Sequence, residues 1–188
     1  MAKREMPKVA VSYKGVFSFK EVYAMIHGYL VENGFVATDY PDYGSGADSD
    51  LFETRYVEKG SPKELIIAWS SKNEATDYYQ WVIDVEFQGT AISETEVMIE
   101  GKKAKMDKGE IKITLKGYLE TDYQKKFEKH WLMKNFAKRY DEKIMAGEAK
   151  EEEGTLAFIY SKLHTMIKRY FKLMGSELPA EISAPKKA

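Results

Sequence analysis

The sequence predicts an α+β domain: a curved, mainly antiparallel sheet of about six strands in meander order, with a short N-terminal helix and two C-terminal helices covering one face. Three observations predict it. From Asp77 to Thr121 apolar and polar residues alternate: Tyr79, Trp81, Ile83, Val85 and Phe87 against Gln80, Asp84, Glu86 and Gln88; Thr95, Val97 and Ile99 against Glu94, Glu96 and Glu100; Ile111, Ile113, Leu115, Gly117 and Leu119 against Glu110, Lys112, Thr114, Lys116 and Glu120. A period of two marks strands with one buried and one wet face, and a wet face favours antiparallel pairing because parallel sheets are usually covered on both sides. Apolar residues then recur at helical spacing in the last third of the chain. Finally, 188 residues with 44% hydrophobic and 31% charged side chains suit one soluble globular domain.

The elements follow in order. Val9, Val11 and Tyr13 alternate with polar neighbours and predict a strand to Phe17. Ser18 and Glu21 form a capping box, with Phe17 and Val22 as its hydrophobic staple, and Gly34 stops the helix. Between Val22 and Val31 this helix is apolar nearly all round, so it is buried on more than one side. Burial within the chain is the simpler reading, and a subunit interface through Tyr23, His27, Tyr29 and Val31 is the other. The stretch from Ala37 to Asp50 reads as a loop. Strands over Phe52–Glu58 and Leu65–Trp69 flank a turn at Gly60-Ser61-Pro62, and Asp107-Lys108-Gly109 suits a hairpin turn between the last two long strands. Thr121, with Gln124 in the box position, caps a helix to Ala146. Glu148–Glu153 reads as a charged linker, and Thr155 caps a last helix over Leu156–Met174 that Gly175 ends. Residues 1–175 are expected to form the domain and 176–188, with Pro179 and Pro185, a disordered tail.

This order of strand, helix, five strands and two helices resembles, by element order alone, the helix-grip architecture of the START and Bet v1 type. The resemblance implies a curved antiparallel sheet around a long C-terminal helix and carries no function.

Composition removes several classes of chemistry. With no cysteine there are no disulfides, thiol nucleophiles or thiolate metal sites. The net charge of −1 provides no general field for nucleic acid. No secretory leader or membrane-length apolar run is evident, so a cytoplasmic location is expected. His27, His130 and His164 lack metal-ligand spacing. Asp48, Asp50 and Glu53 fail the calcium-loop pattern. Asp84 and Glu86 fall on the polar phase of their strand and read as solvated, unlike a carboxylate pair tuned for acid–base work. No phosphate loop or nucleophile elbow occurs. No catalytic set, metal or cofactor is therefore expected, and the balance is against an enzyme.

The sharpest signal is the last helix. Leu156, Ile159, Tyr160, Leu163, Met166, Ile167, Tyr170, Phe171 and Met174 form one apolar face, and Lys162, Lys168, Arg169 and Lys172 lie opposite. Packing on the apolar side of the sheet is the favoured use of that face. The expected function is a non-enzymatic binding domain holding a hydrophobic small molecule between sheet and helix. Tyr79, Trp81, Ile83, Ile113 and Leu115 would line the sheet side, and Tyr160, His164, Ile167 and Phe171 the helix side. The alternatives are a protein–protein or homo-oligomeric module, and association of the basic amphipathic helix with an anionic membrane surface.

Overall fold

The computed structural model describes residues 3–37, 53–99, 102–124 and 146–177. They form, in chain order, β1 (Lys3–Glu5), β2 (Val9–Phe17), α1 (Phe19–Glu32), β3 (Val36–Ala37), β4 (Glu53–Lys59), β5 (Lys63–Asn73), β6 (Tyr79–Ile99), β7 (Lys102–Thr121) and α2 (Ala146–Glu177). Every strand pairing is antiparallel. β4, β5, β6 and β7 are neighbours in sequence order. β2 adds to the far side of β7, with β1 beside the last residues of that same strand, and β3 adds to β5. The result is the expected α+β arrangement, a curved open antiparallel sheet, here with seven strands and two helices among the described residues. The predicted loop after Ala37, nearly all of the helix predicted from Thr121 to Ala146, and all but the first two residues of the tail predicted over 176–188 lie outside these residues; those two, Ser176 and Glu177, continue α2 past Gly175, which was expected to end it.

Three boundaries differ from expectation for physical reasons. The three predicted long strands are two. β6 and β7 run through Thr90–Ser93 and Asp107–Gly109 as one continuous ladder, interrupted only by a register shift between Thr90 and Ser93. Ala91 there has a φ of 53°. A Cβ on Gly109 would lie 2.9 Å from the Ala91 carbonyl oxygen and 3.0 Å from Ile92 Cα. Gly109 therefore serves a close approach opposite a bulge, where a turn was expected. The charged linker is helix: α2 is continuous from Ala146, its glutamates being good helix formers, and Ala149 is buried. Thr155 consequently sits inside the helix, its hydroxyl donating to the Glu151 carbonyl at 3.1 Å instead of capping a new start. Finally, Lys3–Glu5, too short and polar to show a pattern, joins the sheet at Leu119 and its neighbours.

One face of the sheet carries the core. Leu65, Ile67 and Trp69 of β5, Ile83, Val85 and Phe87 of β6, and Ile111, Ile113, Leu115 and Leu119 of β7 are all buried there. α2 lays Leu156, Ile159, Tyr160, Leu163, Ile167 and Phe171 in the same cluster, and α1 contributes Val22, Ile26, Tyr29 and Leu30. Each such aliphatic or aromatic side chain contributes about 1.5–3 kcal/mol on leaving water. The apolar face of α2 is thus occupied by the sheet, and Lys162, Lys168, Arg169 and Lys172 are exposed.

A few polar groups fix how the helices sit. Ser18 Oγ accepts from the Glu21 amide at 3.3 Å, one half of the expected capping box, while the Ser18 amide goes to α2 and not to the Glu21 carboxylate; Asp107 Oδ2 accepts from the Phe19 amide at 2.9 Å. The Tyr170 hydroxyl of α2 accepts from the Ser18 amide at 3.2 Å and lies 3.2 Å from the Ser18 carbonyl. Burial pushes that phenol up to about 12. The Tyr160 hydroxyl lies 2.8 Å from the Leu115 carbonyl and 2.9 Å from that of Pro7. Gly34, at φ 78°, ends α1 as expected.

Candidate functional site

The outer face of the sheet, opposite the helices, is not uniformly wet. Gln80, Val82, Thr114 and Glu120 are buried on it. The register sets three residues side by side in each row across β5, β6 and β7. Ala68, Glu86 and Thr114 form one row, Ser70, Asp84 and Lys116 the next, and Lys72, Val82 and Tyr118 the third. Alternation carries all nine to the same side. Ala68, Ser70 and Thr114 are short, so the surface sinks between the longer side chains. The result is a cavity of about 280 Å³ lined by these short residues together with Asp84, Glu86, Lys116, Tyr118 and Thr54.

The cavity is polar and carries both signs of charge. Ser70 Oγ donates to Asp84 Oδ1 at 2.8 Å. Burial raises the Asp84 carboxyl above its ordinary value, and the Ser70 hydrogen bond, with Lys116 and Lys3, only partly offsets this. Glu86 accepts from Gln88 Nε2 at 2.8 Å. At the Tyr118 end, Lys3 of β1 pairs with Glu120 at 2.7 Å, and its ammonium lies 4.3 Å from the centre of the Tyr118 ring. Burial first, then the nearby Asp84 charge, raises the Tyr118 phenol. The reading of Asp84 as a solvated residue is thereby corrected: the flat strand pattern assigns it to a wet face, but its neighbours remove much of that water. Among the described residues no group of three His, Asp or Glu side chains converges to hold a metal ion.

The residues expected to line a sheet–helix pocket are brought together. Tyr79, Ile83, Ile113, Leu115, Tyr160, Ile167 and Phe171 are buried members of the continuous core, and Trp81 packs against it. His164 is half-buried, and burial followed by the Lys168 charge lowers its pKa. Beside Tyr160 the fit is close enough that a Cβ on Gly117 would lie 3.0 Å from the ring. The interface candidates are divided. Tyr29 is buried and donates to the Ile159 carbonyl at 3.1 Å, and Tyr23 packs edge-on at 4.5 Å from the Trp69 ring while its hydroxyl donates to Glu53. His27 is half-buried 6.2 Å from the same indole, and Val31 is 44% exposed.

Sequence reasoning named Asp84, Glu86, Thr114 and Lys116 as members of the polar phase but did not assemble them. The missing step was register. Once Asp84 is set opposite both Ser70 and Lys116, the rows follow, and the short residues between them stand out. No helix among the described residues is long and apolar enough to cross a membrane. No family model matches the chain, and neither the curated proteins nor the solved structures contain a match to it.

Proposed function

We propose that the chain is a non-enzymatic binding domain whose ligand seat is the polar depression over β5, β6 and β7. The observation that carries this reading is the half-buried Asp84 in a cavity of about 280 Å³ on an otherwise regular sheet face. Folding tolerates a partly desolvated carboxyl with one hydrogen bond at some cost in stability, and such costs concentrate where a ligand supplies the missing partner. A volume of this size takes a small polar molecule. A hydrophobic ligand between sheet and α2 would first have to displace packed core side chains, whereas the outer depression needs no such displacement. That difference favours the outer face.

Amide chemical-shift mapping with a library of small polar fragments tests the reading. Shifts confined to Ser70, Asp84, Thr114, Lys116 and Tyr118 are expected. Shifts centred on Ile113, Leu163 and Phe171 would instead support an apolar ligand in the interior.

A second reading, homo-oligomerisation, is favoured by Val31, Val36 and Tyr56, which are 44%, 47% and 56% exposed near the β3 and β4 edge. Light scattering decides it, with a concentration-independent monomer mass counting against it.

A further inference from the structure

We propose that the depression takes a small zwitterion, a molecule with an ammonium and a carboxylate a few bonds apart. This rests on the reading of the depression as a ligand seat. Asp84 and Lys116 are direct cross-strand partners. Opposite charges so placed ordinarily close on each other. Here the Lys116 charge is felt at Asp84, yet among the described residues no ion pair joins them, and Asp84 Oδ1 is turned to Ser70 at 2.8 Å. Both groups line the same cavity, so a guest between them meets a carboxylate on one side and an exposed ammonium on the other.

Charge selects the guest further. Asp84 and Glu86, two residues apart on β6, both line the cavity and repel a simple anion, and Lys116 on β7 beside Asp84 repels a simple cation. A guest carrying both charges satisfies both groups. Its ammonium donates to Asp84, replacing the water that burial removed, and its carboxylate accepts from Lys116. Bridging two fixed partners of opposite charge also gives orientation, because reversing the guest places like charges together.

The test uses the full chain and a ruler series of probes: glycine, β-alanine, 4-aminobutyrate and 5-aminovalerate, each against the alkylamine and the alkyl carboxylate of matching length. Titration calorimetry on the wild type, Asp84→Asn and Lys116→Met provides the readout. At least one zwitterion should bind saturably and at least tenfold more tightly than either matched half, and each substitution should weaken it at least tenfold. Circular dichroism on both variants confirms that they fold. Zwitterions binding no better than their halves, or equally well to both variants, overturn the proposal. If a neutral polyol or amide binds with sensitivity to Asp84→Asn and the zwitterions do not, the zwitterion assignment falls and the ligand seat stands. If none of these probes binds, both fall.

Discussion

Tyr160→Phe removes one oxygen and leaves the ring where it is. In the folded protein that hydroxyl lies 2.8 Å from the Leu115 carbonyl and 2.9 Å from the Pro7 carbonyl. A phenol has one proton to donate, so the two carbonyls share a single hydrogen bond, and its deletion cannot be counted twice. The net contribution of one such bond is about 0.5–1.5 kcal/mol, and the site is buried, so the upper half of that range applies. For a chain of this size, about 1 kcal/mol lowers the unfolding midpoint by roughly 2–4 °C. Urea denaturation should show a lower midpoint with an unchanged slope, since the surface exposed on unfolding is unaltered. If Tyr160 instead faced a water-filled interior pocket, its hydroxyl would be solvated in both states and the substitution would be silent. A loss below about 0.3 kcal/mol would therefore refute the tie between α2 and β7, being smaller than one net hydrogen bond.

The remaining predictions concern packing and protonation. Leu163→Ala, at a fully buried position, should cost about 2–5 kcal/mol in urea unfolding. The native state holds the Asp84 proton more tightly than the unfolded chain does, because burial raises its carboxyl. Its contribution is most favourable below the ordinary carboxylate value and is lost as pH rises through the raised native one. Asp84→Asn should accordingly match the wild type at low pH and be the more stable near neutrality, as read from urea midpoints across that range. His164 is the opposite case: burial lowers its pKa below 6.5, so stability is full above that value and declines as pH falls through the lowered one. His164→Gln should flatten the wild type's loss of stability on acidification. Ser18→Ala, which removes the acceptor for the Glu21 amide, should cost about 1 kcal/mol in thermal unfolding.

The fold was legible where one periodicity dominated. Val9–Phe17 alternates cleanly and is a strand over those residues, and Ser18 with Glu21 marks the helix start that the amide-to-hydroxyl bond confirms. Legibility failed where a local signal had a non-local cause. Gly109 after Lys108 reads as a turn, but its lack of a side chain serves the bulge at Ala91 on the neighbouring strand. Glu148–Glu153 reads as a linker because it lacks an apolar stripe, yet burial of Ala149 and high helix propensity carry α2 through it. The candidate site was legible residue by residue and illegible as a set, since alternation tells which side Asp84 faces but not which of Ser70, Lys116 or Thr114 stands beside it.

The N-terminal strand pairs with the last strand of the sheet, and the amide of Ser18 reaches a hydroxyl 152 residues further along. On the ribosome, β2 therefore emerges long before the strand that completes it, and its edge stays open until β7 is made. α1 meets the same delay, because the Tyr170 side chain that anchors its first turn follows Ser18 by 152 residues. A nascent chain halted before β7 would expose that edge and the apolar flank of α1 together, the kind of surface on which incomplete chains associate.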